Sequence, residues 1–128
     1  MISRKNRFHG RASIQRLYKN GKLVRCASMS LRYAPNPRRD QYRLAIVVSR
    51  KVSKSAVVRN RIRRRLYENV RILSASLPTP QDLMIVVFDE GIAERPVSEL
   101  SEEVARLFKK AKLTTSGTSV HAIVEPKK

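Results

Sequence analysis

Apolar residues recur at helical spacing in three parts of the chain. In residues 12–20 they fall at i, i+3 and i+4, and Gly21 follows as a stop signal. In residues 55–76 they are spaced by four, four, four and three positions, as Val58, Ile62, Leu66, Val70 and Leu73. In residues 98–112 they form one inward face, with Ser98 as the predicted N-cap. The chain is therefore predicted to contain three amphipathic helices.

The segments between these helices have the character of strands. Residues 23–34 carry alternating apolar side chains, Met29, Leu31 and Tyr33, and residues 42–48 are rich in β-branched residues. Residues 83–88 are apolar without alternation, which is typical of a strand buried on both faces. The predicted class is α+β, a two-layer α/β sandwich of order αβββαβα when one additional strand is counted ahead of the long helix.

The length of 128 residues suits one domain with one modest core. We assign residues 1–113 to this domain and residues 114–128 to a mobile C-terminal tail, in which 120–124 is a candidate edge strand. Residues 35–40 are predicted to form a turn or loop because they contain two prolines. Ser53 or Ser55 is the predicted N-cap of the long helix.

The charge of the chain is large and unevenly distributed. Its 28 Lys and Arg against 10 Asp and Glu give a formal net charge of +18. Residues 1–71 contain 21 basic and 2 acidic side chains, whereas residues 72–128 contain 7 and 8. Because neutralised phosphates release condensed counterions, a polyphosphate is the natural partner of such a surface. The pattern indicates a protein that binds a polyphosphate such as a nucleic acid.

Several other classes of protein are disfavoured by the residues that the sequence contains. No stretch approaches 18 apolar residues, and the N-terminus lacks the apolar segment of a signal peptide, so we expect a cytoplasmic protein with no membrane partner. The single cysteine, Cys26, suits a reducing compartment. His9 and His121 are too few and too far apart for a zinc site, and we expect no catalytic side chains and no metal held by the protein alone.

The strongest functional signal lies in Ser49–Arg71, which contains nine basic residues and one acidic residue. On a helical wheel the apolar side chains cover a sector of about 120°, and most of the arginines lie outside it. Arg59 falls inside the sector, so its guanidinium must leave past the helix end or emerge at a cleft, where it could bind a phosphate in bidentate fashion. The simpler interpretation is a solvated charged face, but such faces usually mix signs for i,i+4 pairing.

The same segment resembles the signature of the bacterial ribonuclease P protein family. The resemblance rests on Ser49-Arg50-Lys51, on Ala56-Val57 and on Arg59-Asn60-Arg61-Ile62-Arg63-Arg64. It extends to Arg7-Phe8, to the helix at Ile14–Tyr18 with Gly21-Lys22 after it, and to the closing strand and helix. The family fold implies a left-handed βαβ crossover through the basic helix, which general rules alone would not predict.

The resemblance also implies roles for particular residues. The helix is expected to bind the catalytic RNA subunit through Arg59, Asn60, Arg61, Arg63 and Arg64. Arg65 is predicted to add a further cation to this contact, at a position where many relatives have an apolar residue. A cleft between the sheet and the first helix is expected to bind the single-stranded 5′ leader of precursor tRNA through Ile14, Tyr18, Met29, Leu31, Ser49, Arg50 and Lys51. Ile14 stands where an aromatic residue is common in the family, and Tyr67 where arginine is usual.

Under this hypothesis the chain is a subunit of an endoribonuclease whose catalyst is RNA. The expected cofactor is Mg²⁺ bound through the RNA. With this ion the RNA is expected to cleave off the leader during tRNA 5′ maturation. The main alternative is a structural RNA-binding protein, such as a ribosomal protein or an RNA chaperone. A DNA-binding factor would need its basic helix free to enter a major groove, but the flanking strands suggest that this helix packs on a sheet. No DNA partner is therefore expected.

Overall fold

The structure, a computed structural model, describes residues 11–36, 41–77 and 79–113. Three helices and four strands follow one another as α1 (Arg11–Asn20), β1 (Lys22–Arg25), β2 (Met29–Pro35), β3 (Arg43–Val47), α2 (Ala56–Leu73), β4 (Gln81–Val87) and α3 (Val97–Lys110). Short 3₁₀ helices lie at Ser74–Ser76 and Glu90–Ala93. The predicted order αβββαβα is confirmed, with residues 23–34 forming parts of two strands. The candidate strand 120–124 and the tail lie outside the described residues.

The four strands form one sheet in the order β1-β2-β4-β3. β1 with β2 and β2 with β4 are antiparallel, whereas β3 and β4 are parallel neighbours connected through α2. This connection is the βαβ crossover that the family resemblance implied, and its left-handedness stays a prediction. Because β3 and β4 run in the same direction, the residues that follow both strands meet at the same edge of the sheet.

One face of the sheet, the core face, is covered by α2 and α3. Its cluster contains Met29 and Leu31 from β2, Leu83 and Ile85 from β4, and the helical residues Ile62, Leu66, Val70, Leu100, Val104, Leu107 and Phe108. Each fully buried Leu, Ile or Phe stabilises the fold by about 1.5–3 kcal/mol. The helical spacing in the sequence therefore predicted the inward faces of α2 and α3 correctly.

The opposite face of the sheet, the α1 face, is partly covered by the first helix. Leu17 and Met84 are buried at its centre, with four half-buried side chains around them: Ile14, Ala34, Ala45 and Val86. β4 is thus apolar on both faces, as the absence of alternation in 83–88 predicted. Gly21 ends α1 at close quarters, since a Cβ there would lie 2.5 Å from the Leu17 carbonyl oxygen and 3.1 Å from that of Tyr33.

The predicted N-cap residue is confirmed for α2 but not for α3. The Ser55 side chain accepts a hydrogen bond from the Val58 N–H, so the predicted cap of α2 is confirmed. The predicted Ser98 cap is wrong, because α3 begins at Val97 after Pro96. Proline fixes its own φ, and the Pro96 carbonyl already accepts from the Leu100 N–H at 3.0 Å.

Candidate nucleic-acid interface

The start of α2 forms a shallow basic depression of about 620 Å³, lined by Arg50, Lys51, Lys54, Ala56 and Arg59. The chain turns tightly after β3, because the Ser49 carbonyl accepts from the Val52 and Ser53 N–H groups at 3.1 and 3.4 Å. Ser53 is buried beneath this turn. This turn and the first turn of α2 therefore bring four cationic side chains to one site.

Arg59 shows how a guanidinium in the apolar sector of the helix is accommodated. Its Nη1 donates to the Ser53 carbonyl oxygen at 2.9 Å, before the helix begins, while the side chain also lines the depression. Both sequence-based options are therefore met, since the side chain passes the helix end and emerges at a concave surface. The guanidinium has further donors available for an anion.

The outward surface of α2 carries Asn60, Arg61 and Arg64, all of which are exposed. Arg61 forms an ion pair with Glu94 at 2.8 Å, with 49% and 78% of the two side chains exposed. Exposed pairs of this kind contribute little, about 0–1 kcal/mol, so a phosphate could replace Glu94 at small cost. Arg63 donates to the Asn60 side chain across one helical turn. These residues form a continuous polar surface beside the depression.

Arg65 has a different role from the one expected from the sequence. Its Nη1 donates to the Ile92 carbonyl oxygen at 2.6 Å, and its Nη2 donates to the Arg95 carbonyl oxygen. The side chain is half-buried. The prediction that Arg65 binds RNA is therefore not supported by its surroundings, because its fork is engaged in holding the 92–95 segment against α2. The charge of Arg65 could not reveal this contact, since residues 92–95 are distant from Arg65 in the sequence.

The α1 face supplies a second candidate surface of different chemistry. Tyr18 is 50% exposed, and the Arg32 guanidinium carbon lies 4.3 Å from the centroid of its ring. Ile14 is half-buried nearby in the α1 cluster. An exposed aromatic ring beside a cation is a suitable platform for an unpaired base. Ile14 and Tyr18 are thus brought together as the sequence predicted.

Met29 and Leu31 do not belong to this surface. Both are 0% exposed on the core face, so their prediction as contacts for RNA is wrong. Successive side chains of a strand point to opposite faces, and the residues of β2 on the α1 face are Ser30, Arg32 and Ala34. Arg32 was therefore missed. The sequence did contain a sign of its position, since Arg32 alternates along β2 with the apolar residues that face the core.

The remaining predicted contacts lie between the two surfaces or near them. Ser49, Arg50 and Lys51 are exposed where the chain leaves β3, and the two cations line the depression. Tyr67 is half-buried against the main core, which reduces what it can offer to a partner. Arg7, Phe8, His9 and His121 lie outside the described residues.

Several other charged residues are engaged within the fold. Arg43 and Asp82 form a buried bidentate ion pair, with Nε and Nη2 donating at 2.9 Å. Arg95 bridges Asp89 and Glu103 at 2.8 Å each. The Gly91 N–H and the Arg95 guanidinium lower the pKa of Asp89, so this carboxylate stays charged and caps the 3₁₀ helix. Arg43 and Arg95 are therefore held by carboxylates within the fold, whereas the cations that line the depression form no ion pair with a carboxylate among the described residues.

Within residues 11–36, 41–77 and 79–113 there is no group of three or more His, Cys, Asp or Glu residues that could hold a metal ion. None of the helices in this described part is long and apolar enough to cross a membrane. Cys26 is a half-buried free thiol, and its Sγ lies 3.5 Å from the Ser28 hydroxyl.

Comparison with known proteins agrees with this geometry. The family model described as Ribonuclease P matches residues 2–112. The ribonuclease P protein component of Chloroflexus aggregans is 37% identical over 115 residues, which cover 90% of this chain and 84% of that protein. The Staphylococcus aureus RNase P protein superposes with a TM-score of 0.74 at 25% identity, covering 86% of this chain and 98% of that one. The RNase P protein from Thermotoga maritima has the same fold, with a TM-score of 0.70. The chain belongs to the ribonuclease P protein family.

Proposed function

We propose that this chain is the protein subunit of a cytoplasmic ribonuclease P that removes the 5′ leader of precursor tRNA. In this proposal the basic depression and the outward surface of α2 bind the catalytic RNA subunit. Arg50 and Lys51 are thereby reassigned from the leader, where the resemblance placed them, because both line the depression together with Arg59. The α1 face binds the single-stranded leader. The two surfaces differ in chemistry, as these two ligands would require: one is cationic, and the other combines an aromatic ring, apolar side chains and a cation.

The observation that carries the proposal is the convergence of Arg50, Lys51, Lys54 and Arg59 on one depression. Like charges held this close repel one another, so the arrangement costs folding free energy unless an anion occupies the site. Phosphates of a folded RNA would neutralise several of these cations together, with release of counterions. A fold without a polyphosphate partner would gain nothing from this convergence.

The donor chemistry of the site suggests how a divalent metal would be used. Ammonium and guanidinium groups do not ligate Mg²⁺, whereas phosphate oxygens do. The ion would therefore be held by the RNA and would supply the metal-assisted cleavage of the phosphodiester. The contribution of this chain is to bind and orient the leader and to reduce repulsion between two large polyanions.

The proposal is tested by reconstitution with the cognate RNA subunit at low Mg²⁺, following cleavage of precursor tRNA. We expect the protein to stimulate cleavage. Arg50→Ala should weaken this effect, whereas Arg106→Ala on α3 serves as the matched control for loss of one exposed arginine. No stimulation of an RNA that cleaves by itself at high Mg²⁺ would contradict the proposal.

The role of the α1 face is tested separately by comparing precursor with mature tRNA. Tyr18→Ala should weaken binding of the precursor by about 1–3 kcal/mol if a base stacks on this ring. Binding of mature tRNA, which lacks the leader, should not change. Tyr18→Phe keeps the ring and should behave like the parent protein. Equal losses for both ligands would mean that Tyr18 has a structural role only.

A further inference from the structure

A second pair of an arginine and an aromatic ring lies elsewhere on the sheet. Phe88 follows the last residue of β4 and is 43% exposed. The guanidinium carbon of Arg25, on β1, lies 5.3 Å from the centroid of its ring. Neither residue was singled out by the sequence, because Phe88 continues an apolar run and Arg25 is one of many cations.

The pair lies on the same face of the sheet as Tyr18 and Arg32. Arg25 is the register partner of Ser30, which is in turn the partner of Val86 on the α1 face. The Phe88 N–H donates to the Ser28 carbonyl oxygen at 2.8 Å, so the ladder of β2 and β4 continues one residue further. Alternation after the buried Val87 then directs Phe88 to the α1 face.

The sheet allows this contact because of a small residue between the two partners. β1 and β4 are separated by β2, which places them about 9–10 Å apart. Ser30 of β2 lies between them, and its short side chain is only 7% exposed. The long Arg25 side chain can therefore cross β2 and lie against the ring. A bulky residue at position 30 would separate the two.

The position of Phe88 connects the two surfaces of the proposed site. Ser49 follows β3 and Phe88 follows β4 at the same edge of the sheet, so the ring lies at the end of the α1 face nearest the basic depression. Phe88 is four positions after Met84, the partner of Arg32, and four positions of extended chain correspond to about 13 Å. Val47 on β3 and Leu23 on β1 are also on this face, 41% and 44% exposed.

Packing within the fold does not account for this exposure. Phe88 belongs to neither apolar cluster of the described residues. An exposed cation–π contact contributes only about 0.5–1 kcal/mol, which is less than burial of a Phe side chain would provide. Single exposed apolar residues are common, but three on one face beside cations are typical of a surface that binds a ligand.

We propose that Phe88, positioned by Arg25, is a second stacking platform for a base of the single-stranded leader. This inference rests on the proposed function, in which the leader crosses the α1 face. A single strand advances about 3.4 Å per nucleotide when its bases stack, and roughly twice that when it is extended. The base on Phe88 is therefore about two to four nucleotides from the base on Tyr18. Together the two rings fix the register of the leader.

The experiment is an abasic scan of the leader, measured as equilibrium binding of precursor tRNA to the reconstituted holoenzyme. Each precursor lacks one leader base but keeps every phosphate. Phe88→Ala should weaken binding of the intact precursor by about 5- to 150-fold, the range for loss of one aromatic–base stack. At one leader position, removing the base should weaken binding to the parental holoenzyme but should not change the affinity of this variant. For Tyr18→Ala the insensitive position should lie two to four nucleotides away.

Two further variants separate the ring from the fold. Phe88→Tyr keeps an aromatic surface and should retain the parental scan. Phe88→Leu keeps apolar volume without a ring, and should show the same insensitive position as Phe88→Ala. The inference is overturned if Phe88→Ala binds the intact precursor as tightly as the parent does, or if its affinity for mature tRNA falls by the same factor. It is also overturned if Phe88→Ala and Tyr18→Ala become insensitive to base removal at the same leader position.

These outcomes are distinct from failure of the proposed function. If the parental holoenzyme bound precursor and mature tRNA equally, the leader would not be a ligand and the proposed role of the α1 face would fail. Suppose that the parental holoenzyme binds precursor more tightly than mature tRNA, and that Tyr18→Ala is insensitive to base removal at one leader position. If Phe88→Ala is insensitive at no position, then only the inference about Phe88 fails.

Discussion

Three consecutive arginines of α2 show how strongly the role of a cation depends on its direction. Arg63 contacts Asn60 on the helix surface, Arg64 is exposed, and Arg65 binds two carbonyl oxygens of the segment after β4. Successive helical residues differ by about 100° in direction, so one arginine can meet the protein while its neighbour meets a partner. The sequence predicted the basic helix, but it could not separate these roles, because the contacts of Arg65 depend on tertiary packing.

The end of α3 contains a backbone conformation that usually favours glycine. Lys112 has a φ of 62°, in the left-handed region. The Lys112 N–H donates to the Lys109 carbonyl and the Leu113 N–H to the Phe108 carbonyl, both at 2.9 Å. These two bonds define a Schellman motif, which also buries Leu113 in the main core. The Cβ of Lys112 opposes this conformation without contributing to the motif.

We therefore expect Lys112→Gly to raise the free energy of unfolding by about 0.5–1 kcal/mol, because glycine removes the steric cost of the positive φ. The measurement is equilibrium urea denaturation with an unchanged m-value. Lys112→Ala is the matched control, since it removes the same charge but keeps the Cβ. If the glycine and alanine variants were equally stable, backbone strain at this position would be excluded as the cause.

At the scale of the elements, the two faces of β2 explain both the success and the failure of the sequence interpretation. The alternation of Met29, Leu31 and Tyr33 predicted a strand correctly, yet these residues face the core. Arg32 lies between them in sequence and meets Tyr18 on the other face. Alternation identifies the two sets of side chains, but only the placement of α1 decides which set lines a binding surface.

The packing of α2 against the segment after β4 depends on Arg65. Lysine can donate to one of the two carbonyl oxygens but cannot reproduce the planar fork. We expect Arg65→Lys to lower the free energy of unfolding by about 1–2 kcal/mol, because one half-buried acceptor loses a charge-assisted hydrogen bond. Arg64→Lys, at an exposed neighbouring position, should change it by less than about 0.5 kcal/mol.

Urea denaturation measures both variants, and amide hydrogen exchange localises the effect. Faster exchange in Arg65→Lys should appear first in the segment around Ile92 and Arg95. Equal stability of the two lysine variants would show that the fork of Arg65 contributes nothing beyond its charge.

For the whole molecule, the order of elements was predictable because it follows from local periodicity. The strand order β1-β2-β4-β3 was not, since it depends on pairing between strands that are far apart in sequence. The family resemblance supplied the parallel pair around α2. The charge asymmetry was also predictable. It did not show that Arg43, one of the 21 basic residues of 1–71, and Arg65, predicted to bind RNA, are engaged within the fold.

The cations that remain at the surface should determine how binding to the RNA subunit depends on salt. Each phosphate contact contributes about 0.7–0.9 to the slope of log K against log salt. Arg64 is exposed on the outward surface of α2, so Arg64→Ala should make the slope shallower by about one contact. Arg106→Ala removes another exposed arginine, on α3 and close in sequence to Glu102 and Glu103, and should leave the slope unchanged. Binding titrations at several salt concentrations measure both. Parallel slopes for the parent and the Arg64 variant would show that this cation does not contact RNA. An equal change of slope in the Arg64 and Arg106 variants would mean that net charge, not the surface of α2, governs the affinity.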